Sequence, residues 1–244
     1  MRARRSSSRK EKAQRKASAS SQSGKLAQNV SLELVGSNEA AMIHEAVITI
    51  LSQVGIIVEH KPTRDMLVKQ HGCQQGSDEY IRLPPDLINR AISTVPDRIM
   101  LYDQNGNLKV DTSSKTSSYC PGHNCVRILD FRTDELRACQ LEDIRETAKL
   151  CEALPNIDMV CSLGYPSEVP PEDEVVETVR AMYENCSKPA ALLAHDDHIQ
   201  LRMMTMIADM TGGWNRLADK PVSVELMGPI SPLKLPEDLC KRLI

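Results

Sequence analysis

The stretch Ile157–Gly164, "IDMVCSLG", decides the fold class: a short apolar run that stops at a glycine. Its length suits a buried strand, and an amphipathic pattern follows from about Glu172 to Asn185 with Val175, Val179, Met182 and Cys186 on one face. The arrangement repeats. "PAALLAHD" (189–196) precedes a pattern from about Asp197 to Thr211 that aligns Ile199, Met203, Met206 and Met210. Upstream, "NCVRILD" (124–130) precedes one from about Leu141 to Leu154 with Ile144, Ala148 and Cys151. Downstream, "PVSVELMGPI" (221–230) precedes a last helix opening near Pro236. Alternating strands and helices imply parallel strands joined by crossover helices, and nearly continuous apolar runs imply strands covered on both faces. Each run ends in polar or Gly/Pro residues, "SLGYPSEVPPE", "AHDDH" and "ELMGPISP". In parallel sheets and barrels functional groups collect at such carboxyl ends.

The preceding region reads differently. A helix is expected from about Asn38 to Val54, with Ile43, Val47, Ile50, Leu51 and Val54 on one face, Ser37 as cap and Gly55 at the end. "IIVEH" and "YIRLP" read as short strands, with helices opening near Pro62 and at Pro84-Pro85. "RIMLYDQNGNLKVD" reads as a hairpin turning at Asn105-Gly106. Three regions are therefore expected: a tail over 1–30, an α+β region over 31–115, and the βα repeats over 116–244.

Composition narrows the function. The chain of 244 residues carries a net charge of −3, but residues 1–30 hold nine Lys or Arg against Glu11 alone, leaving about −11 for the rest. The tail has almost nothing apolar to bury, so it reads as disordered and solvated. It lacks the apolar core of a secretion signal and the apolar face of an import helix. The acidic body argues against a nucleic-acid partner, and no apolar run approaches the ~20 residues that span a bilayer. Eight cysteines without a secretion signal point to reduced thiols in the cytoplasm. The core must be aliphatic, since the chain has one Trp, one Phe and five Tyr.

The stretch "YCPGHNCV" (119–126) supports several readings. Zinc needs three or four suitably spaced ligands; Cys120, His123 and Cys125 are crowded around a Pro-Gly turn, and no metal is expected. No Cys-x-x-Cys pair marks a redox centre. What stays open is a substrate loop, with His123 and Asn124 as polar contacts and the Tyr119 ring facing a cation, or a turn whose side chains satisfy the backbone. Ser162 and Tyr165 end the second strand of the repeat. His195 and Asp196 end the third, where Asp196 serves either a cation or as a helix cap. Glu225, within "SVELMG", would face the interior in an alternating strand, where a carboxylate needs a partner or a cation.

The run "YCPGHNCVRILDFRTDELRACQLEDIRETAKLCEALPNIDMVCSLGYPSEVPPE" (119–172), with "SKPAALLAHD" (187–196), "GPISPL" (228–233) and "IHEAVITILSQVGIIVEH" (43–60), resembles the trimethylamine methyltransferase family, which includes glycine betaine methyltransferases. The resemblance covers roughly residues 35–244 and corresponds to about the first half of a family member. It implies a TIM-type (β/α)8 barrel, here its first four βα units after an α+β extension. It also implies methyl transfer from a methylated amine to the cobalt(I) of a corrinoid (cobalamin) carried by a partner protein, with no cofactor bound by this chain. Some relatives carry pyrrolysine in the other half. Four strands do not close a barrel, so a second chain or second copy is expected to complete it. The alternatives are a non-catalytic half-barrel that binds a methylated solute, or an inactive fragment.

Overall fold

A computed structural model describes residues 34–76, 79–114, 116–122 and 124–243. The basic tail over residues 1–30 lies outside them. The chain divides into two units, of which the larger, Leu34–Ser113 with Ser118–Ile244, carries everything below.

Helix α1 (Ser37–Thr49) runs into a wider π turn (Ile50–Val54) and stops at Gly55, as the sequence leads one to expect. Gly55 has φ 92°, and a Cβ there would sit 2.4 Å from the Ile81 carbonyl oxygen, so only glycine fits. Gly36, rather than Ser37, precedes the first turn. The expected apolar face is not buried within the unit: Ile43, Val47, Ile50 and Val54 are all exposed.

Strand β1 (Ile56–Val58), helix α2 (Lys61–His71), β2 (Gln74–Gln75), β3 (Tyr80–Arg82) and helix α3 (Pro85–Ser93) follow. Gly72, in the left-handed conformation, ends α2. Strands β4 (Met100–Tyr102) and β5 (Leu108–Asp111) form the anticipated hairpin. Asp103 fixes its turn by accepting the Asn107 backbone N–H at 2.8 Å and the Asn107 amide at 3.0 Å.

The repeats give helices α4 (Leu141–Ala153), α5 (Pro171–Asn185) and α6 (Asp197–Thr211) around strands β8 (Val160–Cys161), β9 (Ala190–Leu192) and β10 (Ser223–Glu225). These strands form a parallel sheet in the order β10–β9–β8, with Val160 opposite Ala190 and Glu225 opposite Leu192. One face carries Val160, Ala190, Leu192 and Ala194 into a core with Ile144, Ala148 and Cys151 of α4, Val175, Val179 and Met182 of α5, and Met203 and Ile207 of α6. The aligned residues of α4 and α5 are those read from the sequence. On α6 the buried row shifts, with Ile207 and Ala208 inside and Met210 partly exposed. The opposite face, with Ala191 and Val224, packs on Leu101 and Val110 of the β4–β5 hairpin. That hairpin seats at the amino-terminal end of the sheet: Tyr102 N–H donates to the Pro221 carbonyl, and Gln104 N–H to that of Ser187.

Two departures from expectation matter. "NCVRILD" is not a fourth parallel strand. Cys125 makes a single parallel bridge to Gly164, while Arg127–Leu129 (β6) turns back antiparallel onto Leu136–Ala138 (β7). Asp130 drives that reversal by accepting the Arg132 backbone N–H and the Arg137 Nε, both at 2.8 Å. The segment after β10 crosses to the other sheet, where β11 (Lys234–Leu235) runs parallel to β1, giving the order β11–β1–β3–β2. Helix α8 (Glu237–Leu243) follows, and its Cys240 joins Val58, Cys73 and Ile81 in a second core. A short helix, α7 (Trp214–Asp219), lies between α6 and β10. Among the described residues no sheet closes on itself, and no helix is long and apolar enough to cross a membrane.

Candidate functional site

The carboxyl ends of β8 and β9 open into a cavity of about 30 Å³, against the roughly 10–15 Å³ that one water requires. Of the eight residues singled out from sequence, Asn124, Ser162 and Tyr165 line it. Asn124 adopts φ 64°, a conformation Asn tolerates better than most residues, and its N–H donates to the Ser162 carbonyl at 3.1 Å. The Cys161 thiol donates to the Pro121 carbonyl at 2.8 Å and holds the Pro-Gly turn against β8. The Ser162 hydroxyl donates to the Gly164 carbonyl at 2.7 Å, which leaves its lone pairs available.

Tyr165 stands beside His195, with ring centroids 6.0 Å apart and planes at 32°. Burial, and then the nearby Glu174 carboxylate, push the Tyr165 phenol above its ordinary pKa. His195 is exposed. Asp196 caps α6, accepting the Ile199 N–H at 2.8 Å. Glu225 does not point to the sheet face that the alternating reading gave it. It shares the register of Leu192, on the helix side, where it accepts Gln200 Nε2 at 2.7 Å and Arg242 Nη1 at 3.2 Å. Tyr119 is a backbone anchor, its carbonyl accepting the Asp158 and Met159 N–H groups; its ring is half-exposed and away from the cavity lining. His123 lies outside the described residues. Among the described residues no three His, Cys, Asp or Glu side chains converge as a metal site would require.

Two lining residues escaped the sequence reading, Glu174 and Thr178 of α5. Burial pushes the Glu174 carboxyl above its ordinary pKa, and His195 pulls it partly back. The Thr178 hydroxyl is buried without a hydrogen-bond partner. Glu174 reads in sequence as one of three solvated first-turn acids, after Glu172 and Asp173. The usable signal is spacing: Glu174 and Thr178 are four apart and form a polar row beside the apolar Val175–Val179 row. The rest of the wall is apolar, including Val179, Met182 and Leu192.

A pocket with apolar walls, one half-buried carboxylate and an aromatic ring at its edge suits a small organic cation. The family model for trimethylamine methyltransferase (MTTB) matches residues 2–244. The chain belongs to the trimethylamine methyltransferase family. It is 21% identical over 197 residues to the trimethylamine methyltransferase MttB of Desulfitobacterium hafniense, covering 81% of this chain and 40% of that protein. It is 24% identical over 227 residues to the trimethylamine methyltransferase MttB2 of Methanosarcina mazei, covering 88% of this chain and 44% of that protein. A glycine betaine methyltransferase of D. hafniense is 22% identical over 208 residues, covering 85% and 43%. This trimethylamine methyltransferase family member thus spans less than half the length of the curated relatives it matches.

Proposed function

We propose that the chain takes part in methyl transfer from a methylated amine, trimethylamine, glycine betaine or a similar compound, to the cobalt(I) of a corrinoid carried by a partner protein. The observation that carries this reading is the Glu174–Tyr165 pocket at the carboxyl ends of β8 and β9, in a chain of this family. The three parallel strands with their helices are read as the first part of a TIM-type barrel, whose functional groups sit at that end. The outer edge of β10 has no strand partner among the described residues, which supports completion by a second chain or a second copy. Eight free thiols support a cytoplasmic setting.

The reaction is an in-line displacement. The cobalt(I) electron pair attacks a methyl carbon, the carbon–nitrogen bond breaks, and its electron pair stays on nitrogen, which leaves as the demethylated amine. The chain's task is to hold the cation with one methyl directed outward. Burial makes the Glu174 carboxylate a stronger electrostatic partner for that cation than it would be in water, and the Tyr165 ring can face the methyl groups.

The test is spectroscopic. The folded chain is mixed with chemically reduced cobalamin and, separately, trimethylamine, glycine betaine, carnitine, proline betaine and choline. Loss of the cobalt(I) spectrum with one amine supports the reading. Binding of an amine with the spectrum unchanged favours a non-catalytic binding module, and no binding at all ends both.

A further inference from the structure

The thiols of "YCPGHNCV" (119–126) carry a chemistry that the methyl-transfer reading leaves unused. Backbone bonds fasten this segment alongside β8 at both ends. The Tyr119 carbonyl accepts the Asp158 and Met159 N–H groups, and the Asn124 and Cys125 N–H groups donate to the Ser162 and Leu163 carbonyls. Neighbouring hydrogen-bonded chains run roughly 4.8 Å apart, inside the roughly 4.4–6.8 Å between Cα atoms that a disulfide spans. The cysteines that this alignment sets side by side are Cys120 and Cys161. Their thiols are within hydrogen-bonding reach of each other, and Cys161 Sγ lies 2.8 Å from the carbonyl of Pro121, next in sequence to Cys120. The two differ in access. Cys120 is exposed, whereas Cys161 is 1% exposed and burial pushes its thiol up to about 12.

We propose that Cys120 and Cys161 form a peroxide-reactive dithiol, in which exposed Cys120 is oxidised first and buried Cys161 closes a disulfide onto it. Cys120, as its thiolate, attacks one oxygen of hydrogen peroxide. An S–O bond forms, the O–O bond breaks, and the departing hydroxide takes a proton to become water. The Cys161 sulfur then attacks the sulfur of the Cys120 sulfenic acid. The S–S bond forms, the S–O bond breaks, and the Cys161 proton leaves with that hydroxyl as a second water. The two sulfurs together lose two electrons and the peroxide gains them; a dithiol reductant reverses the change. Closure replaces the Cys161–Pro121 hydrogen bond by a covalent link and fixes the turn that leads to Asn124 at the cavity. Cys125, the other exposed thiol of the segment, has its backbone bridged to Gly164 and serves as the control.

The test takes the reduced 244-residue chain, shown by circular dichroism to be folded, and treats it with hydrogen peroxide. The reaction is quenched with a maleimide in urea, and the chain is digested with trypsin without reduction for mass spectrometry. The chain is expected to lose two of its eight free thiols and two hydrogens of mass, with a bridge joining peptide 116–127 to peptide 150–180. Dithiothreitol should restore both thiols. Those peptides also hold Cys125 and Cys151, so variants assign the bridge. Cys120→Ser should abolish it, and Cys125→Ser should leave it at full yield. In Cys161→Ser, Cys120 should stop at a sulfenic acid that dimedone traps. Loss of no thiol, a bridge from Cys120 to Cys125, a bridge only between two chains, or bridging that survives Cys120→Ser overturns the inference. Each of these outcomes leaves the methyl-transfer reading where it stands, since none depends on an amine.

Discussion

Replacing Lys188 by Met should destabilise the protein by about 3–5 kcal/mol, less than three separate hydrogen bonds to a charged group would contribute. Lys188 is 8% exposed, within "SKPAA" just before β9. Its ammonium donates to the carbonyls of Cys151 at 2.5 Å, Leu154 at 2.7 Å and Ile157 at 2.8 Å. The Cys151 carbonyl belongs to the last turn of α4, where helical carbonyls lack intrahelical partners; the other two belong to the turn leading to β8. Each hydrogen bond to a charged group contributes roughly 1.5–3 kcal/mol. Three from one ammonium share a single desolvation cost, so the loss falls below their simple total. Methionine preserves the apolar stem and isolates the ammonium's contribution. Urea unfolding followed by circular dichroism should show the midpoint falling by about 1–2 M with an unchanged slope, for a slope of about 2–3 kcal/mol/M. A loss under about 1 kcal/mol would refute the reasoning, because the three carbonyls would then be satisfied without the ammonium.

Further predictions follow from single contacts. Glu174, with a pKa raised by burial, costs stability when ionised; Glu174→Gln should stabilise the fold at pH 7, and the gain should vanish as pH falls below about 4.5, where the carboxyl is protonated folded or unfolded. Asp143 behaves oppositely. Arg137 holds it below its ordinary value through two 2.8 Å bonds, and Gln140 N–H donates to it at the start of α4. Asp143→Asn should lower the urea midpoint at pH 7, with the difference shrinking as pH drops below about 3.8 and wild-type Asp143 takes up its proton. Gly164→Ala should cost roughly 1–3 kcal/mol and detach the 119–125 segment, since a Cβ would meet the Cys125 carbonyl oxygen at 2.3 Å and Cys139 Sγ at 2.9 Å; unchanged proteolysis of that segment would count against this. A thiol reagent at pH 7 should label exposed Cys120 and Cys125 rapidly. Cys139, pushed up to about 11 by burial, and Cys161 and Cys186, to about 12, should stay unlabelled until unfolding.

Much of the parallel sheet and its helices was legible in sequence because two strong periodicities alternate there. The rows Ile144–Ala148–Cys151 and Val175–Val179–Met182 are continuous and match their buried positions. "NCVRILD" misleads because apolar content does not specify direction: Asp130 and its bonds to Arg132 and Arg137 turn it into a hairpin, and that depends on side chains seven residues apart meeting. Helix α1 shows the opposite limit, a clear apolar face that the described residues leave exposed. At the site, Ser162 and Tyr165 lie beside the cavity because they follow a strand end of the parallel sheet, where sequence position is informative, and Asn124 joins them through its bond to Ser162. Glu225 was misdirected because its side of the sheet follows from register with β9, which sequence does not give. Glu174 and Thr178 were missed because a carboxylate in a helix's first turn ordinarily faces water, and only the packed position of α5 makes this one half-buried.

The most direct test of the methyl-transfer account uses trimethylamine carrying ¹³C methyl groups, the folded chain and reduced cobalamin, followed by NMR. The account predicts that the methyl signal moves to cobalt while an equal amount of dimethylamine appears, both abolished in Glu174→Gln. A chain that binds the amine yet leaves every labelled methyl on nitrogen would contradict it.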